Sequence, residues 1–84
     1  MANSKNMDGL TRDIQEMPEH VALALKVYGL QVEYDARPAY QRNDYLSWIG
    51  RAAREATREK RLNQMLDELR AGDVYMKMAW GGKR

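Results

Sequence analysis

The chain has 84 residues, of which 44% are hydrophobic and 31% charged, so it forms one small domain. A chain of this length buries only about 60% of the surface that its unfolded form exposes, which leaves little volume for an enclosed substrate cavity. The sequence contains no cysteine and one histidine. Disulfides, thiolate zinc sites and cysteine nucleophiles are therefore excluded, and a metal site or a catalytic triad is not expected.

The formal net charge of +2 hides an uneven distribution of charge. Residues 1–36 carry three basic and six acidic side chains, whereas residues 37–84 carry eleven basic and six acidic ones. This division would suit an acidic partner for the second half, and it would equally suit attraction between the two halves of one molecule. We expect the second arrangement.

No uncharged run approaches the roughly 20 residues that cross a bilayer, so we expect no membrane span. Lys5 and Asp8 stand where a secretory signal would need an unbroken apolar stretch. We therefore predict a cytoplasmic location.

The first predicted elements are an arm and a helix. Residues 1–17 show no sustained hydrophobic period and are expected to form a flexible arm. Pro18 precedes a predicted helix, in which apolar residues recur at i, i+4 and i+7. These residues are Val21, Leu25 and Tyr28. Gly29 is placed to end the helix in a left-handed conformation, and Leu30 can pack back onto the last turn.

The stretch from Gln31 to Ala39 is predicted to be a loop with Tyr34 pointing inward, because no partner strand follows and Pro38 interrupts it. A second helix is expected from about Tyr40, since one apolar stripe follows at helical spacing. The stripe comprises Tyr45, Trp48, Ile49, Ala52 and Ala56. We expect its tryptophan to anchor the core rather than to serve as an exposed stacking platform.

A third helix is predicted from a further apolar stripe, with Gly72 as its C-cap. The stripe comprises Leu62, Met65, Leu66 and Leu69. We expect a break between Arg54 and Arg58, with Thr57 capping the third helix, because two short helices can both pack on the first. The neighbouring carboxylates of Asp67 and Glu68 point about 100° apart on a helix and do not form a catalytic pair.

The residues after Gly72 are compatible with a short helical turn or an extended tail. Trp80 could fold back over the small core or form an exposed contact for a partner, and we favour the first. The sequence thus predicts an all-α domain over residues 18–80, a small bundle of three to four short helices. Residues 81–84 are predicted to form a flexible tail.

Several of these residues also follow a known family pattern, which covers roughly residues 18–72. The run that carries it consists of Tyr45, Leu46, Ser47, Trp48, Ile49, Ala52, Arg54, Thr57, Arg58, Lys60, Arg61 and Leu62. This run resembles the bacteriocin-protection, YdeI or OmpD-associated family, as do Pro18, Glu19, Tyr34 and Arg42. The chain departs from the usual family pattern at Ala39, Tyr40, Ala53 and Ala56.

The resemblance implies an all-helical bacterial module with family names linked to envelope stress, antimicrobial resistance and an outer-membrane porin. It brings no catalytic residues, and we expect a non-enzymatic protein-interaction module that uses no cofactor. The partner is expected to be a protein.

The alternative function rests on a basic cluster around the predicted helix break. Its members are Arg51, Arg54, Arg58, Lys60 and Arg61. A guanidinium group can donate two parallel hydrogen bonds to a phosphate or to a carboxylate. The cluster could therefore bind a nucleic-acid backbone weakly. We favour a structural role, in which Arg58 and Arg61 bridge to acidic residues of the first half, such as Glu19, Glu33 or Asp35.

Overall fold

A computed structural model describes residues 15–81, which form four helices and a small hairpin. The elements are α1 (Glu19–Val27), α2 (Gln31–Asp35), α3 (Ala39–Gly50), α4 (Glu55–Ala71), β1 (Val74–Tyr75) and β2 (Met78–Ala79). The predicted all-α class is confirmed. The predicted flexible arm and tail lie largely outside the described residues. Among residues 15–81, no helix has the length and apolar character needed to cross a membrane.

Helix α1 follows the prediction closely at both ends. It begins directly after Pro18, and Gly29 follows it with a φ of 68°, the left-handed conformation that favours glycine. The Leu30 N–H then donates to the Leu25 carbonyl at 2.9 Å, which brings Leu30 onto the last turn. Tyr28 is the exception, because it lies after the helix and is 57% exposed rather than part of the core.

The predicted loop after Leu30 is wrong, since this segment forms helix α2. The Tyr34 N–H donates to the Leu30 carbonyl at 2.9 Å, which closes a regular helical turn. Tyr34 is buried, as predicted. The helix stops shortly before Pro38, whose ring disfavours a helical conformation for Arg37.

Helix α3 carries the predicted stripe, but Trp48 is not at its centre. Tyr45 and Ile49 are fully buried, while Trp48 is partly buried and packs against the edge of the core. Ala56, at the end of the predicted stripe, is exposed. The stripe fails there because α3 has already ended at Gly50.

The predicted break between the helices exists, but it lies upstream of its predicted position. Residues 51–54 connect α3 to α4, and the N-cap is Arg54, whose extended backbone has φ −100° and ψ 144°. Thr57 therefore lies in the first turn of α4 and is not the cap. Ala52, in this connection, is buried.

The end of α4 confirms the prediction, because Gly72 is left-handed with a φ of 86°. The helix buries three of its four predicted apolar residues, and Leu62 packs partly against the core. The buried core cluster consists of Val21, Leu25, Leu30, Tyr34, Tyr45, Leu46, Ile49, Met65, Leu66 and Leu69.

After Gly72 the chain forms neither a helical turn nor an extended tail, but an antiparallel hairpin. Val74 pairs with Ala79, and Tyr75 pairs with Met78. The two residues of the turn, Met76 and Lys77, have φ angles of 51° and 65°, as a type I′ turn requires.

Candidate functional site

Two arginines of the predicted basic cluster hold the end of α3. Arg61 donates from Nη1 to the Trp48 carbonyl at 2.7 Å, and its guanidinium lies 5.3 Å from the centre of the Trp48 ring. Arg58 donates from Nη2 to the Ala52 carbonyl at 3.4 Å. Carbonyl groups at a helix C-terminus lack helical partners and carry partial negative charge, so they attract these cations.

The predicted bridges from these arginines to the acidic first half are wrong. Within residues 15–81, no ion pair joins Arg58 or Arg61 to Glu19, Glu33 or Asp35. Arg58 and Arg61 instead donate to backbone carbonyls in the last turn of α3 and in the connection that follows it.

The other three basic residues remain at the surface. Arg51 donates to the Ser47 Oγ at 2.7 Å in an exposed contact. Arg54 and Lys60 are exposed, and the described part of the chain offers neither side chain a hydrogen bond or an ion pair. Within the described residues, Arg54 and Lys60 are thus the members of the cluster whose side chains have no partner.

A cleft of about 170 Å³ lies between α2 and α4, beside the residue that follows the hairpin. Its lining residues are Glu33, Ala36, Arg37, Leu69, Arg70, Gly72 and Trp80. The cleft combines the apolar side chains of Ala36 and Leu69, an indole ring and charges of both signs, which are features of a recognition pocket.

Arg37 forms the inner wall of this cleft, and only 4% of its surface is exposed. Its Nη1 donates to the Gln41 Oε1 at 3.0 Å, and its Nη2 donates to the Glu68 carbonyl at 2.9 Å. The Trp80 ring lies 4.5 Å from the guanidinium carbon. Trp80 therefore packs on the buried Arg37 guanidinium and stays partly exposed in the cleft, and it is not among the side chains that pack against the apolar core.

Arg70, which lines the cleft, also contacts Tyr28 outside it. Arg70 pairs with Asp67 at 2.9 Å, and its guanidinium carbon lies 5.8 Å from the centre of the exposed Tyr28 ring. The exposed Tyr28 ring therefore lies beside Arg70, just after the end of α1.

Glu68, which the sequence analysis missed as a structural residue, is only 5% exposed and joins α4 to α3 and the hairpin. Its Oε1 accepts hydrogen bonds from the Tyr45 hydroxyl at 2.5 Å and from the Met76 N–H at 2.8 Å. Its Oε2 accepts from the Gln64 Nε2 at 3.0 Å and from the Lys77 N–H at 2.8 Å. Four donors thus compensate the cost of burying this carboxylate.

Tyr75 holds the hairpin against α3. Its hydroxyl donates to the Asp44 Oδ2 at 2.6 Å, and its ring makes edge-to-face contacts with Tyr40 and Tyr45 at 5.9 and 5.5 Å. Because the hairpin leads directly into Trp80, these contacts place the indole ring in the cleft.

Burial raises the pKa of two phenols in the core. For Tyr45, the hydrogen bond to the Glu68 carboxylate raises the pKa further above its ordinary value of 10.0. For Tyr34, burial raises the pKa, and the nearby positive charge of Arg42 offsets part of that rise. Both groups are core residues outside the cleft.

A second groove of about 380 Å³ lies between the first turns of α1 and α4. It is lined by His20, Glu55, Arg58, Glu59 and Leu62. His20 is exposed. The described residues contain no group of three side chains placed to hold a metal ion.

Comparison with known proteins places the helices in a family. Comparisons with curated proteins and with solved structures gave no match. A family model matches residues 15–72, which span all four helices and more than half of the chain. The hairpin and Trp80 follow the matched region. The chain therefore belongs to the bacteriocin-protection, YdeI or OmpD-associated family.

Proposed function

We propose that the domain is a non-enzymatic protein-interaction module that receives a partner side chain in the cleft between α2 and α4. The observation that carries the proposal is that Trp80 and Arg70 line one cleft, with the exposed Tyr28 ring beside Arg70. Tyrosine, tryptophan and arginine are the residues that dominate binding energy in protein interfaces. A cleft of about 170 Å³ suits one large anchoring side chain.

The contacts of the buried polar groups support a binding role over an enzymatic one. Arg37 holds the last turn of α4, and Glu68 holds the hairpin. The phenols with raised pKa values lie in the core, away from the cleft. These groups are engaged in holding the fold, whereas a general acid or base must reach a substrate.

Family membership motivates a bacterial stress or envelope-associated role as the setting of this interaction. The cytoplasmic location inferred from the sequence stays a prediction, which fractionation of the host cell would test.

Binding to the phosphate backbone of a nucleic acid is the alternative function. Arg54 and Lys60 are exposed and unpaired within the described residues, so they could contact phosphates. Arg58 and Arg61 are instead held by carbonyl groups of the α3 end and the connection that follows it, which weakens this reading.

The test is capture from a host lysate at low and high salt, with proteins identified by mass spectrometry. We expect a partner that the parent retains at high salt and that Arg70→Ala and Trp80→Ala lose. Arg54→Ala and Lys60→Ala are the matched controls, since both residues belong to the basic cluster outside the cleft. These two variants should still capture the partner. Circular dichroism must show a folded domain for each variant.

The reverse pattern would refute the proposal. If the Arg54 and Lys60 variants lose the captured material, the cleft variants keep it, and nuclease or high salt removes it, the domain binds nucleic acid through its basic surface.

A further inference from the structure

Helix α1 has a second apolar face that points away from the core. Val21 and Leu25 are fully buried, whereas Leu23 and Val27 are 60% and 65% exposed. The exposed pair is spaced i, i+4, so both side chains lie on one side of the helix. A helix that is apolar on both faces is expected to be covered on both.

Two opposite charges flank this exposed face. Glu19 lies at the start of α1 and Lys26 near its end, and both are exposed. With 100° per residue, both fall on the same side of Leu23 and within 60° of it. The described residues provide no hydrogen bond or ion pair to either charge.

We propose that a second copy of this chain covers the face, with the two α1 helices antiparallel about a two-fold axis at Leu23. At about 1.5 Å rise per residue, Glu19 lies about 6 Å before Leu23 and Lys26 about 4.5 Å after it. The two-fold axis therefore brings Glu19 beside Lys26 of the second copy, and Leu23 against Leu23 of the second copy. Symmetry repeats the ion pair on the other side of the axis.

The order of the charges selects this occupant. A uniformly basic partner would suit Glu19 and repel Lys26, and an acidic partner would do the reverse. A parallel arrangement of two copies would place like charges together. The antiparallel copy satisfies both charges and also opposes the two helix dipoles. This inference uses a face other than the cleft and does not depend on the proposed function.

The test is analytical ultracentrifugation of the full chain with charge-reversal variants. The parent should show a concentration-dependent dimer. Glu19→Lys and Lys26→Glu should each weaken it by about tenfold, because two attractions per dimer become two repulsions. An equimolar mixture of the two variants, and the double variant, should restore the dimer.

Glu59→Lys and Lys60→Glu are matched controls, since they make the same reversals at exposed positions of α4. Thermal unfolding followed by circular dichroism checks that all variants fold. The proposal would be overturned if the charge reversals at residues 19 and 26 left the dimer dissociation constant unchanged. It would also be overturned by a parent that stays monomeric at high concentration, as expected if another protein or another part of the chain covers the face.

Discussion

The Tyr45 hydroxyl of α3 donates to the Glu68 carboxylate of α4 at 2.5 Å, and Glu68 also accepts both N–H groups of the hairpin turn. One buried side chain thus joins two helices to the hairpin. Because Trp80 directly follows the hairpin, the cleft depends on Glu68, a residue that does not line it.

Replacing Glu68 by glutamine should lower the free energy of unfolding by about 2 kcal/mol. The new amide group would face N–H donors where an oxygen now accepts hydrogen bonds. Urea unfolding measures the loss, and hydrogen exchange at Met76 and Lys77 should accelerate.

Asp67→Asn is the matched control, because it makes the same chemical change one residue away. Asp67 forms an exposed ion pair with Arg70, and its loss should cost less than about 0.5 kcal/mol. Equal losses for the two variants would contradict the structural role of Glu68.

The raised pKa of Tyr45 predicts a stability that falls at alkaline pH. The unfolded phenol releases its proton near pH 10, while the folded phenol retains it, so the unfolded state binds fewer protons above that pH. Stability should fall by up to about 1.4 kcal/mol per pH unit for this group. Tyr34 has a raised pKa and should add to the slope.

Unfolding in urea at several pH values above 9 measures this slope. Tyr45→Phe should be less stable at neutral pH, because it loses the hydrogen bond to Glu68, and should show a shallower alkaline slope. The exposed Tyr28 provides the control substitution by phenylalanine. An unchanged slope in Tyr45→Phe would contradict the assignment.

Local sequence signals predicted the elements that depend on neighbouring residues. The spacing of Val21 and Leu25 placed α1, and the left-handed glycines at 29 and 72 marked helix ends. Helix α2 was missed because five residues are too few to show a helical period.

The features that the sequence did not predict depend on contacts between residues that are far apart in the chain. The turn of the hairpin is Met76-Lys77, which lacks the asparagine and glycine typical of a type I′ turn. Glu68 did carry a signal, because it follows Met65 by three residues on the buried stripe of α4. Three of its four partners, however, come from α3 and the hairpin, which no local pattern relates to it.

Arg61→Ala should lower stability by about 1.5 kcal/mol, with little dependence on salt. Arg61 contacts a carbonyl and an indole ring, both uncharged, so added ions have no ion pair to screen. Arg70→Ala is the comparison, since it removes an exposed ion pair whose small contribution should shrink at high salt. A loss at Arg61 that disappears in salt would point to an acidic partner.

Arg54→Asp should raise stability by about 1 kcal/mol. Arg54 is the N-cap of α4 and provides no side-chain acceptor, whereas aspartate can accept from the free N–H groups of the first turn. Thr57→Ala should change stability little, since Thr57 is not the cap. Thermal unfolding measures the stability of both variants. A larger change in stability for Thr57→Ala than for Arg54→Asp would contradict Arg54 as the N-cap and indicate Thr57, as the sequence pattern predicted.

NMR of the ¹⁵N-labelled full chain can show whether the partner binds in the cleft. Addition of the protein captured from the lysate should shift the backbone signals of Glu33 and Arg70 and the indole N–H of Trp80. The signals of Arg54 and Lys60 should stay in place. Shifts confined to Arg54 and Lys60, with the Trp80 indole unchanged, would contradict the cleft as the interaction surface.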